Sequence, residues 1–336
     1  MQPLTFSVVV PVYNSENTLS PLVERLTAVL NDLCPQYEIL LVNDGSRDRS
    51  WEAIAALVGQ YSTVRGINLM RNYGQHSALL CGIRAARHDV VVTLDDDLQN
   101  PPEEIPLLLA KLNEGYDVVY GAPAKMHHGL LRNVASQLTK LALQGSMGVD
   151  IATKVSAFRL FRRQVARAFE GYHGAYVSID VLLTWGSSRF SYVTVRHEAR
   201  HVGVSNYTVA KLIRHAMNMI TGFSVMPLQF ASLVGFAFVI FGVLVFIVVI
   251  GRYLLSGESV PGFPFLASII AIFAGVQLFA LGIIGEYLAR MHVRLMDRPS
   301  YAVREEISTE SDPSELTQPA GAAQGESHNY DNSTSV

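Results

Sequence analysis

Two long apolar runs near the C-terminal end place the strongest constraint on how this chain can fold. Residues 228–250 and 264–284 contain no charged side chain, and each run is long enough to cross a bilayer as a helix. The chain is 49% hydrophobic over its 336 residues, and these two runs carry the excess. The sequence therefore predicts a soluble domain that is followed by a pair of membrane helices.

The charges beside these runs predict how the pair of helices is oriented. Lys211 and Arg214 precede the first run, and Arg290, Arg294 and Arg298 follow the second. Basic residues accumulate on the cytoplasmic side of membrane helices, so we expect the soluble domain in the cytoplasm and the connecting loop outside. The segment before the first run carries basic and apolar side chains on opposite sides of a predicted helix, which indicates a helix at the membrane interface.

Strand-like and helix-like segments alternate along the N-terminal part of the chain. We predict strands at 6–10, 37–42, 64–69, 90–94 and 118–120, and helices at 18–33, 50–58, 77–86 and 102–113. Residues 177–185 indicate a further helix, and residues 190–197 a further strand. This alternation is typical of an α/β fold with a doubly wound, largely parallel sheet.

Three adjacent carboxylates, Asp95, Asp96 and Asp97, follow directly on the predicted strand 90–94. They repel one another unless a cation lies among them. Asp95 and Asp97 are alternate residues, so they can point the same way and share a hard divalent metal ion, with Gln99 as a third oxygen ligand. The alternative is a solvated acidic turn in which Asn100 caps the next helix.

The first predicted strand is followed by Pro11–Asn14, and the second is followed by the carboxylate of Asp44. The carboxyl ends of parallel strands meet at one edge of the sheet, where a nucleotide would lie. The sequence contains neither Gly-x-Gly-x-x-Gly nor Gly-Lys-Ser/Thr, so bound phosphates would need a metal ion. No basic, aromatic-rich motif is present, and we expect no nucleic-acid partner.

Four ordered motifs resemble those of the family 2 glycosyltransferases with a GT-A fold. They are Val10–Asn14, Val42–Ser46, Arg71–Gln75 and Asp95–Pro102. The last is similar to the Asp-x-Asp-Leu-Gln-x-Pro-Pro form of the polyisoprenyl-phosphate glycosyltransferases, which include dolichol-phosphate mannose synthases and bacterial undecaprenyl-phosphate sugar transferases. The resemblance covers residues 6–220 and, in bacterial members, the membrane hairpin as well.

The resemblance implies roles for individual residues at the predicted sheet edge. Asp44 would accept a hydrogen bond from the nucleotide base, and the whole nucleotide-binding set would be Pro11, Tyr13, Asn14, Glu16, Asp44 and Asp95. Asp95, Asp97 and Gln99 would bind Mg²⁺ or Mn²⁺ that bridges the diphosphate. The chain departs from many relatives in that Ser15 separates Asn14 from Glu16.

A second set of residues is implied for the acceptor phosphate. Arg132 and Ser136 have the four-residue spacing with which relatives bind the lipid phosphate, and the full set is Arg132, Ser136, Lys140, Arg159 and Arg200. The implied catalytic residues are Asp95, Asp97, Arg132 and Arg200. Arginine suits these positions because its guanidinium is always charged and binds phosphate through a fork. Two alternatives stay open: a solvated helix charge at Arg132, and a structural ion pair at Arg159.

By resemblance, the predicted function is metal-dependent, inverting transfer of a sugar from a nucleotide-diphosphate sugar, with a UDP-sugar favoured, to a polyisoprenyl (undecaprenyl) phosphate. It would take place at the cytoplasmic face of the inner membrane, in a multi-pass protein that we expect to form homo-oligomers. A processive polysaccharide synthase is one alternative, although the chain lacks that class's Gln-x-x-Arg-Trp element and additional spans. A non-catalytic scaffold that binds lipid phosphate is another.

The predicted boundaries follow from these patterns. They are a GT-A domain at 1–204, the interfacial helix at 205–226, membrane helices at 227–252 and 264–287 with an external loop at 253–263, a cytosolic basic segment at 288–303, and a disordered tail at 304–336.

Overall fold

A computed structural model describes residues 4–123, 151, 153–174, 177–198, 226–256, 262–296 and 298–309. Its strands are β1 Phe6–Val12, β2 Tyr37–Asn43, β3 Val64–Leu69, β4 Val90–Thr93, β5 Val118–Pro123, β6 Arg159–Arg162, β7 Phe190–Val195 and β8 Val303–Ser308. Its α-helices are α1 Leu19–Leu33, α2 Ser50–Gln60, α3 Gln75–Ala85, α4 Ile105–Asn113, α5 Arg163–Ala166, α6 Ile179–Gly186, α7 Met226–Ser256 and α8 Phe263–Leu295.

All of these strands belong to one sheet, in the order β7-β5-β6-β4-β1-β2-β3-β8. The four strands β4, β1, β2 and β3 are parallel neighbours, as the alternation of strands and helices predicts. Strand β6 lies antiparallel between β4 and β5, and β8 pairs antiparallel with β3. The sheet is therefore mixed: β4, β1, β2 and β3 run parallel to one another, whereas β6 and β8 run antiparallel to the strands beside them.

Helices cover both faces of the sheet because the strands are apolar on both sides. One core contains Val8 and Val10 of β1 together with the apolar stripe of α1, and the other contains Val9 with the buried face of α3. Helix α1 buries Leu19, Leu22, Val23, Leu26 and Leu30, which lie three or four residues apart. The α/β fold with a doubly wound sheet is thereby confirmed.

Strand β1 continues through Pro11 to Val12, so the prediction that Pro11 ends the strand is wrong. Pro11 lies opposite Val42 in the parallel ladder, and the Asp44 N–H donates to the carbonyl of Val12 at 2.9 Å. A proline removes one donor from the ladder but leaves its carbonyl and extended backbone intact. The extra residues bring the Pro11–Tyr13 turn alongside the turn that follows β2.

Helices α7 and α8 contain the two apolar runs. Residues Leu228–Val245 and Ile272–Ala289 are long and apolar enough to cross a membrane, and almost none of their side chains are buried. Phe238 and Phe273 pack edge to face across the two helices, with ring centroids 5.7 Å apart. An exposed helix that is apolar on all sides is stable only against lipid or another apolar surface. Of the predicted interfacial helix, residues 205–225 lie outside the described residues.

The chain after α8 returns to the sheet. Residues Val303–Ser308 form β8, so the prediction of a disordered tail from residue 304 is wrong for the residues up to Ser308. The strand is polar and exposed, and its composition alone resembles that of a disordered segment. Helix α8 also runs to Leu295, eight residues beyond the predicted end of the second membrane helix at 287.

Candidate active site

A cleft of about 240 Å³ lies at the carboxyl ends of β1, β2 and β4. It is lined by Pro11, Val12, Tyr13, Asp44, Asn72, Gly74, Gln75, Asp95, Asp96 and Asp97. All four sequence motifs contribute to this lining. Three of them contribute carboxylates or turn residues at the strand ends, and Arg71–Gln75 forms the remaining wall. The predicted meeting of these strand ends at one edge is thus present in the structure.

The three carboxylates after β4 make different contacts. Asp95 Oδ1 accepts a hydrogen bond from Gln75 Nε2 at 2.5 Å, and Asp96 Oδ2 accepts one from the Tyr13 N–H at 3.1 Å. Asp97 Oδ1 accepts from the Gln99 N–H at 3.1 Å, which closes a turn in the chain's own backbone. The middle carboxylate therefore ties the end of β1 to the end of β4.

Leu98 holds this turn in an unusual backbone conformation. Its φ is 59°, in the left-handed region that a branched side chain rarely occupies, and its side chain is buried in the core. Left-handed backbone costs about 1–2 kcal/mol for such a residue, and burial of the leucine offsets that cost. The turn thus directs the carboxylates to one side and the leucine to the other.

Asp44 binds the loop that forms the opposite wall of the cleft. Its Oδ1 accepts from the Tyr73 N–H at 2.7 Å, and its Oδ2 accepts from the Gly74 N–H at 2.8 Å. Gly74 has a φ of 95°, which favours glycine, and space beside it is open. Burial raises the pKa of the Asp44 carboxyl, although these two backbone hydrogen bonds act in the opposite direction. Asp44 thus holds the Arg71–Gly74 loop in place through both of its carboxylate oxygens.

The donor set of the cleft suits a hard cation. Asp44, Asp95, Asp96 and Asp97 all line it, and among the described residues that line it there is no lysine or arginine. Burial is the main cause that raises the pKa of Asp96, and the charge of Asp97 adds a smaller increase, whereas hydrogen bonds from Ser15 and the Tyr13 N–H act in the opposite direction. Among the described residues, no group of three or more His, Cys, Asp or Glu side chains converges to form a complete metal site. A cation here would need further oxygen ligands, and a diphosphate would supply them.

Gln99, predicted as a third metal ligand, is not among the residues that line the cleft. Its carbonyl accepts a hydrogen bond from the Glu198 N–H at 2.9 Å. That contact fixes the last described residue before the segment that contains Arg200. The other predicted acceptor residues, Arg132, Ser136 and Lys140, lie outside the described residues together with Arg200.

Asn14 and Glu16 do not line the cleft, and the structure gives them another role. Asn14 has a φ of 54°, and its Oδ1 accepts from the Arg47 N–H at 2.8 Å. Glu16 Oε2 accepts from the Arg49 N–H at 3.0 Å, just before α2 begins at Ser50. Both side chains bind the backbone of the turn after β2, so the structure gives them a role in holding that turn, and their contact with a nucleotide stays a prediction.

Arg159 is a structural residue, and the predicted contact with the acceptor phosphate is wrong. Its side chain is 2% exposed, and its Nη1 lies 2.7 Å from Oδ1 of Asp180. The Tyr120 hydroxyl donates to the same oxygen at 3.1 Å. Burial together with the Asp180 charge raises the pKa of Tyr120 well above its ordinary value. This network joins β5, β6 and α6 inside the domain, and the ion-pair alternative is the one observed.

The structure adds Asn72, Gly74 and Gln75 to the site. All three line the cleft, and Gln75 contacts one of the proposed metal ligands directly. The Arg71–Gln75 motif stands out in the sequence, but Asn72, Gly74 and Gln75 are uncharged, so nothing local assigns them a role. Tyr13, in contrast, was predicted from its motif and lies at the cleft with 45% of its surface exposed.

Comparison with known proteins identifies the class. Residues 7–169 match the family described as Glycosyl transferase family 2. The chain is 36% identical over 307 residues to undecaprenyl-phosphate 4-deoxy-4-formamido-L-arabinose transferase of Yersinia pestis, a match that covers 90% of this chain and 94% of the relative. The protein of the same name from Yersinia enterocolitica matches equally well, at 36% identity over 307 residues.

The chain therefore belongs to glycosyl transferase family 2 and is a glycosyltransferase. Within that family its relatives are polyisoprenyl-phosphate glycosyltransferases, which confirms the resemblance seen in the four motifs. Among solved structures, glucosyl-3-phosphoglycerate synthase of Mycobacterium tuberculosis is similar over 65% of this chain and 78% of that chain, at 19% identity and a TM-score of 0.47.

Proposed function

We propose that this glycosyltransferase transfers a sugar from a nucleotide-diphosphate sugar to undecaprenyl phosphate at the cytoplasmic face of the inner membrane. The observation that carries the proposal is the acidic cleft at the carboxyl ends of β1, β2 and β4. Relatives named as undecaprenyl-phosphate sugar transferases support the acceptor, since they match over 90% of this chain. The two apolar helices support a membrane location.

The donor nucleotide would lie in the cleft between Tyr13 and the Arg71–Gly74 loop. Pro11 and Tyr13 form the β1 side, and Asp44 holds the opposite loop through two backbone hydrogen bonds. The Asp44 carboxylate would accept a further hydrogen bond, from a donor group of the nucleotide base. A UDP-sugar is the favoured donor.

Asp95 and Asp97 would hold Mg²⁺ or Mn²⁺, with oxygens of the donor diphosphate completing its ligands. When bound, the ion supplies positive charge that stabilises the departing nucleoside diphosphate. Gln75 keeps Asp95 in place through its side-chain amide. Asp96 is engaged with the Tyr13 N–H, so its role is to hold the two strand ends together.

The proposed reaction is a single displacement. An oxygen of the acceptor phosphate attacks the anomeric carbon, while the bond from that carbon to the diphosphate oxygen breaks and its electron pair leaves with the nucleoside diphosphate. The configuration of the sugar is thereby inverted. A phosphate monoester has a second pKa of about 6 and is mostly dianionic at neutral pH, so no side chain has to remove a proton.

The acceptor phosphate would be held by Arg132, Ser136, Lys140 and Arg200. These assignments rest on the sequence, and they are supported by Glu198, two residues before Arg200 in the chain, whose N–H donates to the Gln99 carbonyl beside the acidic turn. Helices α7 and α8 would keep the domain at the membrane, where the head group of an apolar acceptor is accessible. Self-association into a homo-oligomer is proposed as well.

The test is transfer of labelled sugar to undecaprenyl phosphate in detergent. The donor panel contains UDP- and GDP-sugars, including UDP-linked 4-deoxy-4-formamido-L-arabinose, with Mg²⁺ or Mn²⁺ or with a chelator. Asp97→Ala is the active-site variant, and Asp32→Ala, at an exposed position on α1, is the matched control.

We expect a metal-dependent lipid-linked monosaccharide from the wild type and from Asp32→Ala, and a loss of at least about a hundredfold in Asp97→Ala, because a main source of charge stabilisation is removed. Product formation that is equal with metal and with chelator would contradict the metal-assisted mechanism. If no donor gives product and the protein binds no nucleotide, the proposal is wrong and a lipid-phosphate-binding scaffold becomes the better explanation.

A further inference from the structure

The residues that follow α8 form part of the catalytic sheet. We call Ser300–Thr309 the return segment, since it brings the chain back from the apolar helices to the domain. Its strand β8 pairs antiparallel with β3, with Val303 opposite Leu69 and Ser308 opposite Arg65. The carboxyl end of β3 leads into the Arg71–Gly74 loop of the cleft, so the Val303 end of β8 lies at the cleft side.

The return segment holds both backbone polar groups of Met70. The Met70 N–H donates to the Ala302 carbonyl at 2.9 Å, and Arg304 Nη2 donates to the Met70 carbonyl at 3.2 Å. Met70 immediately precedes the Arg71–Gly74 loop. One end of that loop is therefore fixed by the return segment, and the other end is fixed by Asp44 through the N–H groups of Tyr73 and Gly74.

A chain of side-chain hydrogen bonds connects the return segment to the other cleft loop. Asn68 Nδ2 donates to Glu305 Oε1 at 3.0 Å, and Asn43 Nδ2 donates to Asn68 Oδ1 at 2.9 Å. Asn43 Oδ1 in turn accepts from the Ser46 N–H at 3.3 Å, in the turn that contains Asp44. Asn43 and Asn68 are both buried, so water cannot easily replace these bonds.

The opposite end of the return segment makes contacts that do not lead to the cleft. Glu306 pairs with Arg65 at 2.5 Å, and Arg65 also pairs with Glu38 at the amino end of β2. The Thr309 hydroxyl donates to the Val58 carbonyl at 2.8 Å, at the end of α2. Neighbouring residues of one strand thus divide into a cleft end, at Ala302–Glu305, and a far end, at Glu306–Thr309.

We propose that the cleft end of the return segment is a positioning element of the donor site. It fixes the Arg71–Gly74 loop through Met70, and it fixes the Asp44 turn through Asn68 and Asn43. The shape of the donor cleft therefore depends on residues that follow α8 in the chain. This inference deepens the proposed function and rests on it for the identity of the donor. The claim that the segment orders two loops of the cleft does not depend on which sugar is transferred.

The test compares full-length variants at the two ends of the segment. Glu305→Met keeps the length of the side chain but removes the acceptor for Asn68, and Arg304→Ala removes the donor to Met70. Glu305→Gln is the rescue variant, because its amide oxygen still accepts the bond from Asn68. Glu306→Gln is the matched control, since it alters a neighbouring carboxylate whose partner lies at the far end. Two quantities are measured: amide hydrogen exchange in residues 43–46 and 71–74 without nucleotide, and kcat and KM for the donor that the wild type uses.

We expect Glu305→Met and Arg304→Ala to exchange faster in both loops and to raise the donor KM about threefold to tenfold, with kcat changed less, as the loss of one hydrogen bond predicts. Glu305→Gln and Glu306→Gln should match the wild type in both quantities. Unchanged exchange in the cleft-end variants, or equal changes in Glu306→Gln, would overturn the inference. If the wild type transfers no sugar, the proposed function fails, and hydrogen exchange still decides whether the return segment orders the loops.

Discussion

Replacement of Asp44 by asparagine separates two roles that this residue can have in the cleft. The carboxylate accepts two backbone hydrogen bonds, from Tyr73 at 2.7 Å and from Gly74 at 2.8 Å. Asparagine has one side-chain oxygen, so it keeps one bond and turns its amide group toward the other N–H. A hydrogen bond to a charged acceptor contributes about 1.5–3 kcal/mol, which corresponds to about 10- to 100-fold in the opening of the loop.

A second effect reduces this loss. Burial raises the pKa of the Asp44 carboxyl, which means that the charged form is held in the folded protein at a cost. Asparagine removes that charge, and the net effect on the loop therefore falls at the lower end of the range, about tenfold. We expect the donor KM to rise by up to the same factor, because the apparent affinity falls with the fraction of molecules in which the loop that lines the cleft is ordered.

The assay is amide hydrogen exchange of Tyr73 and Gly74 in detergent, without nucleotide, followed by donor kinetics. Asp48→Asn serves as the control, because Asp48 also binds backbone N–H groups, those of Glu16 and Ser50, but does not line the cleft. If Asp44→Asn raises the donor KM while exchange at Tyr73 and Gly74 stays at the wild-type rate, Asp44 acts on the nucleotide alone. The reasoning from the loop would then be refuted.

Two further predictions concern stability. Asp180→Asn leaves the buried Arg159 guanidinium without its charged partner and should destabilise the protein by about 3 kcal/mol in chemical unfolding; a change below about 1 kcal/mol would contradict a structural ion pair. Burial would raise the pKa of the Glu38 carboxyl, but hydrogen bonds from Ser7, the Arg87 N–H and Arg65 outweigh it and lower that pKa. A lowered pKa in the folded state stabilises the protein above the unfolded pKa of about 4.3, and this stabilisation is lost as pH falls through the folded value. The Tm of Glu38→Gln should therefore lie below that of the wild type at pH 7 and approach it in acid, whereas parallel Tm curves would disprove the linkage.

Much of the fold could be predicted because its signals are local. Residues 64–69 form a strand with the predicted bounds, and α1 begins one residue after the predicted start at 18. Apolar spacing decides these elements, and their faces are buried as the spacing requires. The position of the acidic turn at the sheet edge also follows, since the carboxyl ends of parallel strands share one edge.

The roles of individual polar residues at that edge could not be predicted in the same way. Asn14 and Glu16 bind N–H groups about 33 residues further along the chain, and Asp44 binds N–H groups 29 and 30 residues further. A backbone donor has no side-chain signature, so a residue that holds a loop and a residue that holds a ligand look alike in sequence. The same applies to Arg159, whose partner Asp180 lies in a helix 21 residues further along the chain.

Strand β8 is the clearest case of structure that composition conceals. Its sequence, Val-Arg-Glu-Glu-Ile-Ser, is mostly polar, and its apolar residues do not alternate regularly with polar ones. The local sequence therefore carries no signal that favours a strand over a disordered segment. What stabilises it is the edge that it covers: Ile307 packs against the core, and a Cβ added at Gly66 would lie 2.9 Å from Cγ1 of Ile307. The absence of a side chain at Gly66 of β3 thus makes room for Ile307, the penultimate residue of β8. Such complementarity between residues more than 240 positions apart is set by packing, and it allows a polar strand to close a sheet edge that would otherwise expose unpaired backbone groups.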